Sequence, residues 1–475
     1  MKNFNYLTIL LATCILFTFS ACKKWLEVQP EDKFTEQQIF NTPGGIASSL
    51  NGVYLDISKA KLYGANLTST TLEIFAQRYN VYASHDLHQY QLYNFGDTKV
   101  IATLDNIWSS AYINVVNLNQ FVANLDKYKG VLDAKTDSLF RGEAIAMRAY
   151  LHFDLLRMFG PRYSTADSTM LAIPYYNTAS TTANPILPAN TVMNNILADL
   201  STAEKLLASD PIISKGVLNT AENTWLTNRN YRMNYFALKG LQARAYLYRG
   251  DKVSALAAAK IVIDQSAKFP WITPANILSE KSNPNRVFST ELLFGSQSLD
   301  LYGVNRDYFA PDLVDWKILV PLDARLKTFF ESNDNDYRYN PNWILAATGK
   351  SYKTFYKYTD VVDKTKTFRY TVPLIRLSEM YYIAAECEPV VATAFNYINT
   401  VRNNRGLVNL ATTVNLTTEL QKEYQKEFFG EGQLFFYYKR RNVTTIPNAT
   451  ASTGNVTMNA AKYVFPLPLS ETTPR

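Results

Sequence analysis

With 475 residues, 47% of them hydrophobic and 19% charged, the chain has material for one large core or two joined lobes and lacks the composition of a disordered protein. Its net charge of +7 is spread along the sequence, and the densest run, Lys439-Arg440-Arg441, closes an apolar-aromatic helical stretch where the helix dipole favours cations, so no nucleic-acid partner is implied. Cys14 lies in an apolar leader and Cys22 directly after it, at the start of the remaining chain, which leaves Cys387 as the one thiol of the body, excludes an intramolecular disulfide there and makes packing the source of stability.

The first element in chain order is an export signal. Met1-Lys2-Asn3 is basic, Tyr6 to Phe19 is apolar, and Ser20-Ala21 places small residues before Cys22. A cysteine at that point is the acylation site of a bacterial lipobox, with Phe19 where leucine is commonest. Residues 1-21 are expected to be removed, leaving 22-475 held to a membrane by acyl chains on Cys22. A spanning helix needs about 20 apolar residues, more than this stretch supplies. Trp25, beside the anchor, is expected to pack on the body or at the membrane interface.

Helical periodicity dominates the rest. Trp108, Ala111, Tyr112, Val115, Val122 and Leu125 recur mostly at three, four or seven residues and predict one face of a long helix, with Trp108 in the core. A second helix is predicted from about Ser138 to Phe159, stopped by Gly160-Pro161. Further helices are predicted over Thr191–Leu207, Tyr231–Arg249, Lys252–Ser266, Pro373–Cys387, Val391–Asn403 and Leu416–Arg441. In Ala237 to Asp251, small residues recur where facing helices approach closely and Gly250-Asp251 makes a turn, a tetratricopeptide-like unit. The stretch from Arg376 to Arg405 has a similar rhythm without the turn glycine, so degenerate repeats are expected.

Loop-rich segments interrupt these helices around 60-100, 160-190 and 268-372. They carry too many aromatics for flexible tethers and are expected to pack on the helices and to hold a binding site. Glu291-Leu292-Leu293-Phe294 reads as a short strand. Two loop clusters combine aromatic faces, on which the C–H face of a sugar stacks, with polar groups that meet hydroxyls. One holds Arg78, Tyr79, Tyr82, His85, His88 and Tyr90; the other holds Tyr302, Arg306, Tyr308 and Trp316. Most of the 64 Phe, Trp and Tyr residues must nevertheless be core.

Catalytic motifs are missing. His85-x-x-His88 and His152 provide no metal set without a third, unspecified ligand, and His152 is expected to be structural. There is no glycine-rich phosphate loop and no nucleophile elbow. Cys387, in Ala384-Ala385-Glu386-Cys387, reads as a small core residue. Carboxylate pairs for glycoside hydrolysis remain open as an alternative, because spacing in sequence does not set distance in space.

Several separated motifs resemble the SusD/RagB family of outer-membrane lipoproteins. They are Cys22 to Lys33 followed by Ser49-Leu50-Asn51-Gly52-Val53-Tyr54, then Arg148 to Gly160, Pro373 to Glu386, and the closing Phe465-Pro466-Leu467-Pro468-Leu469-Ser470-Glu471. One motif departs: members commonly place Arg two residues and Asp five residues after a Glu-Gly pair, whereas Leu434 and Tyr437 follow Glu431-Gly432 here, replacing a possible buried ion pair with apolar-aromatic packing. The resemblance implies a mainly α SusD-like fold over 22-475, with about four degenerate tetratricopeptide-like helix pairs and an irregular ligand-binding part. It implies a surface lipoprotein that binds an oligosaccharide, or alternatively a peptide, for a SusC-like TonB-dependent barrel, with no cofactor and no catalysis.

Overall fold

The computed structural model describes residues 35–180, 182–218 and 224–473; the expected export signal, Cys22 and Trp25 lie outside the described residues. Its longer helices are α1 (Pro43–Ile57), α2 (Thr98–Lys127), α3 (Ala134–Phe159), α4 (Ala189–Leu206), α5 (Tyr235–Arg249), α6 (Lys252–Ile263), α7 (Leu301–Tyr308), α8 (Leu377–Cys387), α9 (Val391–Asn403), α10 (Leu416–Glu427) and α11 (Gln433–Arg440). The fold is mainly α. Side chains that accept from orphan backbone N–H groups start several of these helices: Asp97 for α2, Asp133 for α3, Asn234 for α5 and Asp251 for α6.

Neighbours in a continuous row pack on one another, α1 on α2, α2 on α3, α3 on α4, α4 on α5, α5 on α6, α6 on α8 and α8 on α9. This is four successive pairs, α1/α2, α3/α4, α5/α6 and α8/α9. In the second half of α3, from Glu143 to Phe159, every residue is buried, because helices cover it on more than one side. Gly250 turns α5 into α6 at φ +89°, a conformation that costs a glycine little. At Gly240 a Cβ would lie 2.9 Å from Ile375 Cγ2, so the small residue lets α5 approach the strand below it.

Four two-stranded antiparallel ribbons occupy the connections: β1 (Leu171–Pro174) with β2 (Ile186–Pro188), β3 (Leu292–Gln297) with β6 (Thr371–Arg376), β4 (Trp343–Ile344) with β5 (Thr354–Phe355), and β7 (Thr445–Pro447) with β8 (Asn455–Thr457). One apolar core runs from Phe40 to Phe465 through both the helical row and these irregular segments.

The structure corrects two predicted elements. Residues 371–376 are a strand and not the first turns of a helix: Pro373 lies opposite Gly295, the whole strand is buried on both faces, and such a strand shows no alternation to betray it. The helix predicted over Leu416–Arg441 is two helices, divided by Gly430 at φ +77° and Gly432 at φ +70°. A Cβ on Gly432 would lie 2.1 Å from the Leu67 carbonyl oxygen, and its N–H donates to Glu73 Oε1 at 2.9 Å. Lys439 lies in the last turn of its own helix, as predicted, but its ammonium serves another helix. It is fully buried and donates to the carbonyls of Arg157, Met158 and Gly160, where it satisfies the C-terminus of α3. Arg440 and Arg441 clasp Glu386. Leu434 and Tyr437 are buried, Tyr437 stacking on Tyr424 with ring centroids 4.3 Å apart.

A buried ionic network joins the helical row to the irregular half. Glu427 accepts from Arg405 Nη2 at 2.6 Å, from Arg338 Nη1 at 3.1 Å and from Arg376. Arg405 also forks onto Glu291, Arg338 onto Asp336 and Glu423, and Arg402 reaches Glu423 at 2.7 Å. Burial by itself raises the Glu423 carboxyl, but Arg338, Lys426 and Arg402 outweigh it and hold it at about 2; the same balance carries Glu427 well below the usual carboxylate range. Because the folded state binds these protons less tightly than the unfolded chain, the network's contribution is complete above pH ~4.5 and is lost as pH falls toward 2. The network is therefore expected to give thermal melts an acid limb below pH ~4.5. Glu423→Gln should cost about 3–5 kcal/mol at pH 7 by stranding its arginines, and should flatten the acid limb.

Candidate functional site

Three segments meet at one exposed surface. The first, 78–94, is held by a ring of polar contacts: Gln91 Nε2 donates to Tyr79 O at 2.6 Å, Val81 N donates to Gln91 Oε1 at 3.1 Å, and Gln77 Nε2 donates to Gln91 O at 2.8 Å. The second, 308–319, is a closed excursion whose ends meet where Leu319 N donates to Tyr308 O at 2.8 Å. Gly349, at φ +100°, brings the third, 349–352, against it, since a Cβ there would lie 2.5 Å from Pro311 O.

Two contacts tie the first segment to the second: Asn80 N donates to Val320 O at 2.9 Å, and His85 Nε2 donates to Lys317 O at 3.1 Å. His85 Nδ1 accepts from Leu87 N at 2.9 Å, which fixes the neutral Nε2–H tautomer. Burial lowers the proton affinity of the ring below that of a free histidine. His85 is thus a staple between the two loops.

What this frame leaves exposed is aromatic. Tyr82 and Trp316 are each 43% exposed, and Tyr352 stands half-buried beside them, with Lys317 Nζ 5.0 Å from the Trp316 ring. Tyr352 donates to Asp315 Oδ1 at 2.9 Å, and Lys350 pairs with the same oxygen at 2.8 Å. Burial raises the Tyr352 phenol, helped by Asp315 and by neighbouring Tyr82. Tyr308, half-buried with its ring 6.5 Å from that of His85, closes the floor. The result is an open ledge of ring faces rimmed by a carboxylate, ammonium groups and the exposed Ser84 hydroxyl.

Other expected site residues stand elsewhere. Arg78 is 1% exposed, sandwiched between Phe329 and Phe429 at 4.3 and 4.0 Å from their centroids, and donates to Gln425 O. Tyr79 is 0% exposed and donates to Ser69 O; Tyr90 is buried and donates to Lys99 O. All three hold the loop from inside and present nothing to a ligand. His88, half-buried, donates from Nδ1 to Val81 O at 2.9 Å. Tyr302 packs on Tyr370 at 4.8 Å in a separate neighbourhood whose cavity of about 20 Å³ holds no more than a water, and Arg306 is an exposed partner of Asp307. Asp315, Lys350 and Tyr352 were not singled out from the sequence, and no local pattern marks them. His152 is fully buried, stacked on Tyr175 at 4.0 Å and held at about 3 by burial. Burial likewise raises the Cys387 thiol to about 12, which makes it inert. Among the described residues, no three His, Cys, Asp or Glu side chains converge as metal ligands.

Comparison with known proteins places the fold. Residues 24–221 match a SusD-like family described as starch-binding and associating with the outer membrane, and residues 322–471 match the SusD family, whose model carries the name SusD/RagB. The chain is similar to SusD-like protein P2 of Formosa agariphila, 24% identical over 86% of this chain and 82% of that one, and to SusD-like protein P38 of the same organism, 22% identical over 90% and 88%. Its fold matches a SusD superfamily protein of Bacteroides thetaiotaomicron with TM-score 0.71 at 19% identity, covering 91% of this chain and 97% of that one. It also matches a laminarin-binding SusD-like protein with TM-score 0.65 at 18% identity, covering 91% and 97%.

The staple makes the ledge sensitive to pH. Protonation of His85 puts a hydrogen on Nδ1 and removes the acceptor for Leu87 N–H, so the stabilisation is present above pH ~6.5 and is lost as pH falls below it. The hydrogen-exchange protection factor of Leu87 should drop on going from pH 7.5 to pH 5 while those of α3 stay level, and His85→Gln should abolish that difference.

Proposed function

The chain belongs to the SusD/RagB family, and from that premise we propose that it is a surface lipoprotein which captures an oligosaccharide on the ledge of Tyr82, Trp316 and Tyr352 and passes it to a SusC-like TonB-dependent barrel. The observation that carries the ligand class is the pair of exposed aromatic faces, Tyr82 and Trp316, held on a rigid frame beside hydrogen-bonding groups. A sugar ring offers an apolar C–H face to such rings and hydroxyls to Asp315, Lys350 and Ser84. An open ledge also admits the interior of a polymer, which a closed pocket does not.

Two acidic groups of the ledge segments are matched internally, while Asp312 stands exposed. Asp315 is paired with Lys350 and Asp86 with Lys99. A peptide's amino terminus would find those two carboxylates already engaged, and the exposed ring faces favour a glycan over the peptide reading. The same pairing argues against glycoside hydrolysis. A general acid needs a raised pKa, whereas the hydrogen bond from Lys99 lowers Asp86 and that from Lys350 lowers Asp315. We assign the protein no reaction. The family description of outer-membrane association and the lipobox at Cys22 support the anchored placement.

Stacking on one ring contributes about 1 kcal/mol beyond area burial. Titration with laminari- and malto-oligosaccharides should show Tyr82→Ala and Trp316→Ala each weakening binding about fivefold while the melting temperature stays within a few degrees. Affinity for a peptide pool in place of sugars would overturn the ligand class, and unchanged sugar affinity in both variants would overturn the site. For anchoring, Cys22→Ala should lose labelled palmitate and leave the outer-membrane fraction, and gentle detergent extraction of the unmodified protein should bring down a barrel with it.

A further inference from the structure

The chain enters the described fold at Thr35, thirteen residues after Cys22. The short helix that follows, Glu36–Phe40, lies against the C-terminal end of α2: Lys127 pairs with Glu36, Tyr128 donates to the same carboxylate oxygen at 3.1 Å, and Phe40 stacks on the Tyr128 ring. A thirteen-residue tether spans at most about 45 Å. With 30 residues, α2 is itself about 45 Å long. An anchor at Cys22 therefore keeps this end of the helical row near the membrane and lets the opposite end reach it only at full stretch.

The fold gathers lysines from distant parts of the sequence at that same end. Ser138, in the second turn of α3, donates to Leu206 O at the end of α4 at 2.9 Å. Tyr235 N, at the start of α5, donates to Asp210 Oδ2 at 3.1 Å, and a Cβ on Gly216 would lie 3.5 Å from Lys268 Cγ, just beyond α6. Exposed along this end are Lys129, Lys135, Lys205, Lys215 and Lys260, none with a carboxylate partner among the described residues. The carboxylates nearby are taken: Asp126 and Asp137 by Arg141, Glu204 by Lys239, Asp210 by Arg229. Asp133, which caps α3, and Asp264 stand exposed without a cation. Five lysines against two carboxylates leave three positive charges unmatched.

Helix dipoles account for Lys205 and Lys260, in the last turns of α4 and α6. They do not account for Lys129, in the α2–α3 turn, or for Lys135, in the first turn of α3, where the dipole disfavours a cation. Folding does not ask for these charges. We propose that this end of the row is a membrane-docking surface, on which Lys129, Lys135 and Lys205 meet the phosphate groups of anionic lipids. The ledge stays uncovered, because its 78–94 segment is tied to the other end of α2, where Asp86 pairs with Lys99. That a membrane is the partner follows from the anchoring at Cys22 proposed above; the surface itself stands on the unmatched lysines.

The test uses the mature chain carrying Cys22→Ala, so that no acyl chain contributes, sedimented with phosphatidylcholine vesicles containing either no charged lipid or one-third phosphatidylglycerol. Binding should require the anionic lipid, and should vanish as salt shortens the screening length from ~10 Å at 0.1 M to ~3 Å at 1 M. Each lysine near such a surface strengthens binding about fivefold, so Lys129→Ser/Lys135→Ser/Lys205→Ser should weaken it about 100-fold. Lys61→Ser/Arg249→Ser/Lys252→Ser, which removes the same charge away from this end, should change it little. All six positions are exposed, so both variants should melt within a few degrees of the parent. Equal binding to neutral vesicles, no binding to either kind, or equal losses in the two variants would overturn the proposal. Displacement of the vesicles by inorganic phosphate beyond its effect as salt would assign the lysines to a free anion and overturn it too. Vesicle binding is read without acylation, so a failure of palmitate labelling at Cys22 would refute the anchor and leave this surface standing.

Discussion

Glu427 stands at the end of α10 and accepts from Arg338, Arg376 and Arg405, three arginines that arrive from a loop, from the end of β6 and from the segment after α9. All four side chains are buried to 2% exposure or less. Buried ions are costly to desolvate, and such a cluster adds less net stability than apolar residues of the same volume would. Its consequence is geometric. The pairing is satisfied only when Glu291 before β3, Asp336 and Arg338, Arg376, and Arg402 and Arg405 all reach α10 together, so any slip of the β3/β6 ribbon against the helices leaves a charge stranded.

From that cluster a contiguous path leads to the ledge. Glu431, two residues before α11, takes Arg376 and Lys357, and Lys357 also donates to Phe429 O. Phe429 is one face of the sandwich around Arg78, whose guanidinium reaches Gln425 O on α10 and lies 3.6 Å from Glu73. Burial raises the Glu73 carboxyl to about 7 against the pull of Arg78, which leaves Gly432 N–H as its close hydrogen-bond donor. Arg78 opens the 78–94 segment, and Asn80 and His85 carry the connection across to Val320 and Lys317. The rings of Tyr82 and Trp316 are held on a frame whose spacing is fixed several contacts away, so the candidate ledge, though made of loops, is organised without a ligand.

Where local chemistry decides, the sequence was legible. Gly250-Asp251 specifies both a left-handed turn and the cap of the next helix, α9 has the predicted bounds, and the apolar spacing around Trp108 gave the buried face of α2. It was not legible where tertiary context overrides a pattern. Pro373-Leu374-Ile375 is apolar in every register, so only its partner strand makes it a strand, and Gly430 and Gly432 divide a helical pattern because backbone and aromatic neighbours crowd them. Helix α1, with Gly44, Gly45 and Gly52 within it, offered little helical propensity and was not anticipated. For the site, residue type was readable and burial was not. Tyr79 and Tyr82 sit three residues apart in one aromatic run, yet one is 0% and the other 43% exposed, and Arg78 proved to be the spine of the loop. Two of the anticipated clusters do meet, at His85, Tyr308 and Trp316, through backbone contacts that no local spacing announces.

The measurement that bears most directly on the account is a pair of crystal structures of the mature soluble chain, free and with a bound oligosaccharide of six or more sugar units. A preorganised ledge predicts sugar rings lying on Trp316 and Tyr82, with the 78–94, 308–319 and 349–352 segments superimposing between the two. Electron density for the glycan away from both rings, or a ledge that assembles only on binding, would contradict it.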